Sequence, residues 1–125
     1  METSQLTGMA LDWAVAKAQG AKGVRLHTYR CFEPLPPVWV VDWEFDWIEL
    51  SSISYSTDWA HGGPIIEREG ITVGPWDTSP FMAHRGAYST VCSRNTRMVG
   101  PTPLIAAMRC FVASKLGDAV DVPNF

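Results

Sequence analysis

Trp39-Val40-Val41-Asp42-Trp43-Glu44-Phe45-Asp46-Trp47 alternates large apolar and acidic side chains almost residue by residue. In an extended chain, Trp39, Val41, Trp43, Phe45 and Trp47 share one side, while Asp42, Glu44 and Asp46 share the other. Period-two alternation of this kind marks a strand with one dry and one wet face, as in an antiparallel sheet. The reading is therefore one long strand over 39–47. Its aromatic row is core or interface. Most such rows are core, but three tryptophans on one strand face is much for 125 residues to cover. Any part of Trp39, Trp43, Phe45 and Trp47 left exposed would suit a partner protein or a homo-oligomer. The acidic row, with neighbours ~6.5–7 Å apart, has the oxygen chemistry for Mg²⁺ or Ca²⁺. It lacks the glycine-bearing loop of a calcium site, and a solvated outer face accounts for it. No metal or other cofactor is expected.

Upstream, Leu6 to Gln19 reads as a helix. Leu6, Met9, Ala10, Trp13 and Lys17 recur at helical spacing, with Leu11, Val15 and Ala18 as a second apolar row. Thr3 or Thr7 is placed to cap its start, and Gly20 suits the left-handed stop. Gly23 opens a strand-like run, Val24 to Tyr29, with Val24, Leu26 and Thr28 on one face and Arg25, His27 and Tyr29 on the other. Pro34, Pro36 and Pro37 end it.

Downstream, Ser56-Thr57-Asp58-Trp59 reads as a helix start, with Ser56 or Thr57 as cap and Asp58 near the positive end of the dipole. Gly62-Gly63-Pro64 is expected to interrupt this helix, Pro64 starting a second short turn that Gly70 stops. Ile71 to Val73 and Tyr88 to Cys92 are strand candidates, separated by a loop or broken hairpin containing Pro75, Pro80 and Gly86. Thr102-Pro103 then opens the clearest helix of the chain. Leu104, Met108, Phe111, Val112 and Lys115 trace one face with Ile105 adjoining, and Gly117 ends it. Residues 118–125 form an extended acidic tail. Helices and strands in this order predict an α+β domain spanning 1–125: a small, mainly antiparallel sheet packed with an N-terminal helix, a short middle helix and a C-terminal helix, sandwich-like.

Three blocks are familiar together: Leu6 to Lys17; Tyr55-Ser56-Thr57-Asp58-Trp59 with Gly62 to Glu69; and Thr102 to Arg109 with Val112 to Gly117. In this order they resemble the NinX family of lambdoid phage accessory proteins and, more loosely, small phage proteins described as α-β-α sandwich domains. The resemblance covers about half the chain and leaves out 24–54 and 74–99. It implies a phage or prophage gene expressed in a bacterial host, hence a cytoplasmic protein. It brings no catalytic residue with it.

Composition fits that picture. Hydrophobic residues make up 46%, enough for a core, and no apolar run approaches the ~20 residues needed to span a bilayer. A net charge of −3 speaks against non-specific nucleic-acid binding, although Arg85, Arg94, Arg97 and Arg109 gather in the C-terminal half. Double-stranded RNA binding would need a basic helix start that is missing. Cys31, Cys92 and Cys110 form no close pair and read as reduced thiols. With His27, His61 and His84 scattered, neither a zinc spacing nor an activated Cys–His nucleophile is marked. No phosphate loop, dinucleotide fingerprint or hydrolase elbow is present.

The expectation is thus a non-enzymatic protein that binds a host or phage protein through aromatic surface near 39–47, as a homo-oligomer. The alternative is a binder of a nucleotide-like small molecule, one form of which sequesters a signal of host defence. Its site would be Ser56, Thr57, Asp58, Trp59, Gly62, Gly63 and Glu67: amides at a helix start for an anion, glycines for close approach, Trp59 as a stacking plane, and Asp58 or Glu67 as acceptors. A capped helix followed by a glycine turn explains the same residues without a ligand. Asp12 and Arg109, polar residues inside apolar periods, are read as a structural ion pair or as exposed.

Overall fold

The computed structural model describes residues 1–29, 35–75, 88–92 and 96–125. Its elements are α1 (Gly8–Ala18), β1 (Gly23–His27), β2 (Val38–Asp42), β3 (Trp47–Glu49), α2 (Trp59–Glu69), β4 (Thr72–Pro75), β5 (Tyr88–Cys92), β6 (Thr96–Gly100) and α3 (Pro103–Leu116), with single 3-10 turns at Thr3–Gln5 and Leu50–Ser52. The class is α+β. The strands divide into two antiparallel three-stranded sheets, ordered β1-β2-β3 and β4-β5-β6, where the sequence suggested one. β6 carries no alternation strong enough to have been read. The loop expected before β5, with His84 and Arg85, and also Cys31 and Arg94, lie outside the described residues.

The expected long strand 39–47 is in fact a hairpin. Trp43 N–H donates to the Asp46 carbonyl (2.8 Å), leaving Glu44-Phe45 at the tip, and Asp42 pairs with Trp47. Cross-strand partners share a face, so the turn reverses the parity of everything beyond it. Trp47 therefore stands on the side of Asp42, Val40 and Arg25, opposite Trp39 and Val41. Neither tip residue is a turn former, which is why unbroken alternation hid the turn. Nor do Asp42, Glu44 and Asp46 form a row: Arg25 Nε engages both Asp42 oxygens (3.0 and 3.2 Å), and Asp46 Oδ1 accepts from the Trp47 N–H (2.7 Å).

The core lies between the sheets. α3 packs across β4-β5-β6, and α1 and α2 pack on α3. Leu11, Val15, Ile65, Leu104, Met108, Phe111 and Val112 fill this layer. Trp13 and Ala16 on α1 reach the other sheet, where Val41, Leu50 and Ile53 meet them and Val24, Trp39 and Trp43 pack around. Trp39 also meets Phe125 edge to face at 5.0 Å. α3 is buried from Ala106 to Val112 without interruption, because it has a sheet on one side and helices on the other. The single apolar stripe expected of it understates this. Small side chains at Ala106, Ala107 and Cys110 allow the close approach on both sides.

Some helix ends follow sequence chemistry and others do not. Thr102 Oγ1 accepts from Ile105 N–H (3.1 Å), Pro103 opens α3, and Gly117 closes it. Gly70, at φ +62°, stops α2. At α1, however, Thr7 occupies the cap position without a side-chain bond. Thr3 is buried and its hydroxyl donates to Gly117 O (2.7 Å), tying the start of the chain to the end of α3. The Gly62-Gly63-Pro64 break does not occur either, since α2 runs through it. Pro64 sits in the second turn, where its missing N–H leaves the Ala60 carbonyl without a helical partner. Ala60 is exposed, which leaves the residue open to solvent.

Asp12 and Arg109 are both 8% exposed, and neither is paired with the other. Arg109 donates to the Leu6 carbonyl (2.8 Å) and the Val99 carbonyl (2.9 Å), joining the lead into α1 to β6. Burial pulls its pKa down. Asp12 Oδ1 accepts the Ser56 N–H (2.9 Å).

Candidate functional site

That last bond starts the construction of the segment leading into α2. Thr57 and Asp58 N–H groups turn back to the Ser54 carbonyl (3.2 and 2.8 Å). Asp12 holds the turn from α1, and His61 Nδ1 holds it from α2 by accepting the Ser54 N–H (3.0 Å). This fixes the tautomer of His61, whose proton sits on Nε2 when the ring is neutral. Burial raises the Asp12 pKa above its ordinary 3.8, while the Ser56 N–H and nearby His61 pull it the other way. The Ser56 hydroxyl is buried and makes no hydrogen bond of good geometry, though it lies near enough to Asp12 to favour the carboxylate.

With the turn placed in this way, the cap of α2 is Asp58, not Ser56 or Thr57: its Oδ1 accepts from Ala60 N–H (2.9 Å). Trp59 follows and is 55% exposed. It stands over a groove of ≈ 250 Å³ lined with Ser56, Thr57, Thr102, Pro103, Leu104 and Ile105. The starts of α2 and α3 thus converge on one shallow hollow, each contributing the positive end of its dipole. Asp58 offsets part of that potential on the α2 side.

The residues predicted for this site separate. Ser56, Thr57 and Trp59 line the groove. Asp58 is occupied as a cap. Gly62 is buried, and a Cβ there would collide with the Tyr55 carbonyl and come within 2.6 Å of Leu104 Cδ1. The close approach that Gly62 permits is therefore to the protein's own Tyr55 carbonyl and to Leu104 on α3. Gly63 meets only the Trp59 ring, at 3.9 Å. Glu67 is exposed and eight residues beyond Trp59, roughly 12 Å along the helix. Thr102, Leu104 and Ile105 were legible as cap and apolar face, but not as the opposite wall.

The second candidate is the aromatic segment. Trp39 and Trp43 are half-buried against the lower core, whereas Phe45 is 94% exposed at the tip of the β2–β3 hairpin. Trp47 and Ile48, each 37% exposed, follow on opposite faces of β3. Trp47 tops a cluster that the sequence did not assemble, with His27 at 4.8 Å and Tyr29 at 6.1 Å between ring centroids. Tyr29 donates to Glu49 (2.5 Å), and that carboxylate raises the phenol's pKa. Only the shared face of Arg25, His27 and Tyr29 could have signalled this group. β3 ends the order β1-β2-β3, so among the described residues no strand pairs with its outer edge.

No helix among the described residues is long and apolar enough to cross a membrane. No curated protein matches the chain. The family model described as Bacteriophage P22, NinX matches residues 2–115, which takes in both helix starts of the groove and the whole aromatic hairpin. The chain therefore belongs to the NinX family of phage proteins.

Proposed function

We propose that this phage accessory protein acts in the host cytoplasm by non-catalytic contact with a protein partner, and that the β2–β3 hairpin is the contacting element. The observation that carries the reading is Phe45, which is 94% exposed at the hairpin tip with Trp47 and Ile48 beside it. Burying such a ring in a partner is worth ~1.5–3 kcal/mol, and interface anchors are typically aromatic side chains of this kind. The open edge of β3 offers backbone groups that a partner strand can pair with. Homo-oligomerisation is the form this takes when the partner is a second copy, and light scattering on the purified chain reads it directly. The functional test is a photocross-linking residue at position 45, with position 115 as an exposed control, in phage-infected cells. The expected outcome is a discrete adduct at 45 that is absent at 115. Adducts at neither position, or equal labelling at both, would remove the reading.

A second reading rests on the groove. The exposed Trp59 ring beside two helix starts suits a small anionic ligand with a stacking plane, nucleotide-like in chemistry. A thermal-shift screen of nucleotides and cyclic nucleotides tests it. A true ligand at ~100 times its Kd stabilises by ~2.7 kcal/mol, and Trp59→Ala should abolish the shift. A flat response across the screen rejects the groove as a ligand site.

A further inference from the structure

We infer that the surface met by the hairpin is a basic segment of a different protein, one carrying lysine or arginine around an apolar socket. This rests on the reading of the hairpin as the contacting element and names the chemistry of its partner. The charge distribution is the starting point. From Cys31 to Glu67 the chain holds Glu33, Asp42, Glu44, Asp46, Glu49, Asp58 and Glu67 and no lysine or arginine. All ten basic residues lie outside that stretch.

The fold then sorts these acids. Asp42 is neutralised by Arg25 at 3.0 Å. Glu49 accepts from Tyr29 and Ser51, and Asp58 caps α2. Glu67 lies exposed on α2, and Glu44 and Asp46 stand on either side of Phe45, both exposed, where among the described residues no basic side chain pairs with either. The Asp46 carboxylate accepts from the neighbouring Trp47 N–H. The tip is thus an apolar anchor between two carboxylates that no cation among the described residues neutralises.

Such a tip selects by charge. An apolar socket rimmed with basic groups gains from both carboxylates, and their field speeds encounter and fixes orientation. A nucleic acid or an anionic lipid surface is repelled by the same field. So is a second copy meeting tip to tip, because a two-fold contact places Glu44 and Asp46 against their own images.

The experiment uses the full chain with the photocross-linker at 45, in extract of infected cells, and sequences the peptide joined to it. The expected result is a peptide from another protein, with Lys or Arg flanking the labelled position. Adduct yield should fall about fivefold or more in Glu44→Lys/Asp46→Lys, and less in Glu44→Gln/Asp46→Asn. It should also fall on raising salt from about 0.05 to about 0.5 M, where the screening length shortens several-fold. Circular dichroism melts of the variants check that these exposed tip changes leave the fold intact. An adduct that survives charge reversal, or whose peptide is neutral, acidic or the chain's own, overturns the basic-partner inference while leaving the hairpin as the contact. Absence of any adduct at 45 removes both.

Discussion

Asp12 shows how one buried side chain can decide where a segment lies. Its carboxyl takes the Ser56 N–H from inside the core, and the turn carrying Thr57 and Trp59 to the groove hangs from that bond. The cost is a titration. Burial raises the folded-state pKa above 3.8, so the fold favours the protonated acid. Stability from this group is full below about 3.8 and is lost as pH rises through the raised folded value. Asp12→Asn keeps an Oδ1 for Ser56 but cannot ionise. Urea unfolding of the two proteins between pH 3.5 and 7 should show the variant gaining on the native chain as pH rises across that window, then a constant difference. A difference that does not change with pH would mean the carboxyl does not titrate as described. Replacing Asp12 with Ala should instead destabilise at every pH, because the Ser56 N–H is left buried and unpaired.

At the scale of elements, the packing of α2 on α3 is decided by Gly62. A methyl group there meets the Tyr55 carbonyl first and then Leu104, so Gly62→Ala must displace the turn at Tyr55 and crowd the Leu104 side chain of α3. The expected loss is about 1–3 kcal/mol in chemical denaturation. Gly63→Ala is the internal control. Its Cβ would meet only Trp59 at 3.9 Å, and alanine is the better helix former, so stability should rise by about 0.5–1 kcal/mol. Equal effects at the two positions would refute the close contact. The pair also shows the limit of reading by residue type. Gly-Gly-Pro is a breaker on local propensity, and tertiary docking held it helical. Likewise Ser56, Thr57 and Asp58 are all competent caps, and the turn held by Asp12 and His61 selected Asp58.

At the scale of the molecule, the end of the chain closes the structure. Thr3 N–H donates to Asp118 O (2.8 Å), Val120 N–H to Met1 O (2.9 Å), and Thr3 Oγ1 to Gly117 O (2.7 Å). Val120, 5% exposed, enters the core, and Phe125 rests on Trp39. The acidic tail is thus a clasp between α3 and the first residues. Truncation after Gly117 removes two of those bonds and the burial of Val120. Roughly 3–5 kcal/mol should be lost in urea unfolding, a large share of what a domain of this size holds. Thr3→Val, which removes only the hydroxyl bond, should cost about 1 kcal/mol.

Local chemistry alone determined the class of this protein, the helices α1 and α3 and the place where α2 begins, the caps at Thr102 and Gly70, and the aromatic and acidic character of 39–47. Each depends on neighbours three or four residues away, which a sequence displays. What only the tertiary structure decided depends on contacts between distant segments. Trp47 lies opposite Trp39 because the chain folds back at Glu44-Phe45, and pairing Asp42 with Trp47 reverses the parity that alternation implies. Asp12 and Arg109 are buried because backbone groups from Ser56, Leu6 and Val99 come to meet them. Thr102 faces Trp59 because Gly62 lets two helices touch. A residue's chemistry is fixed by its own atoms, but its partner is fixed by how the rest of the chain packs.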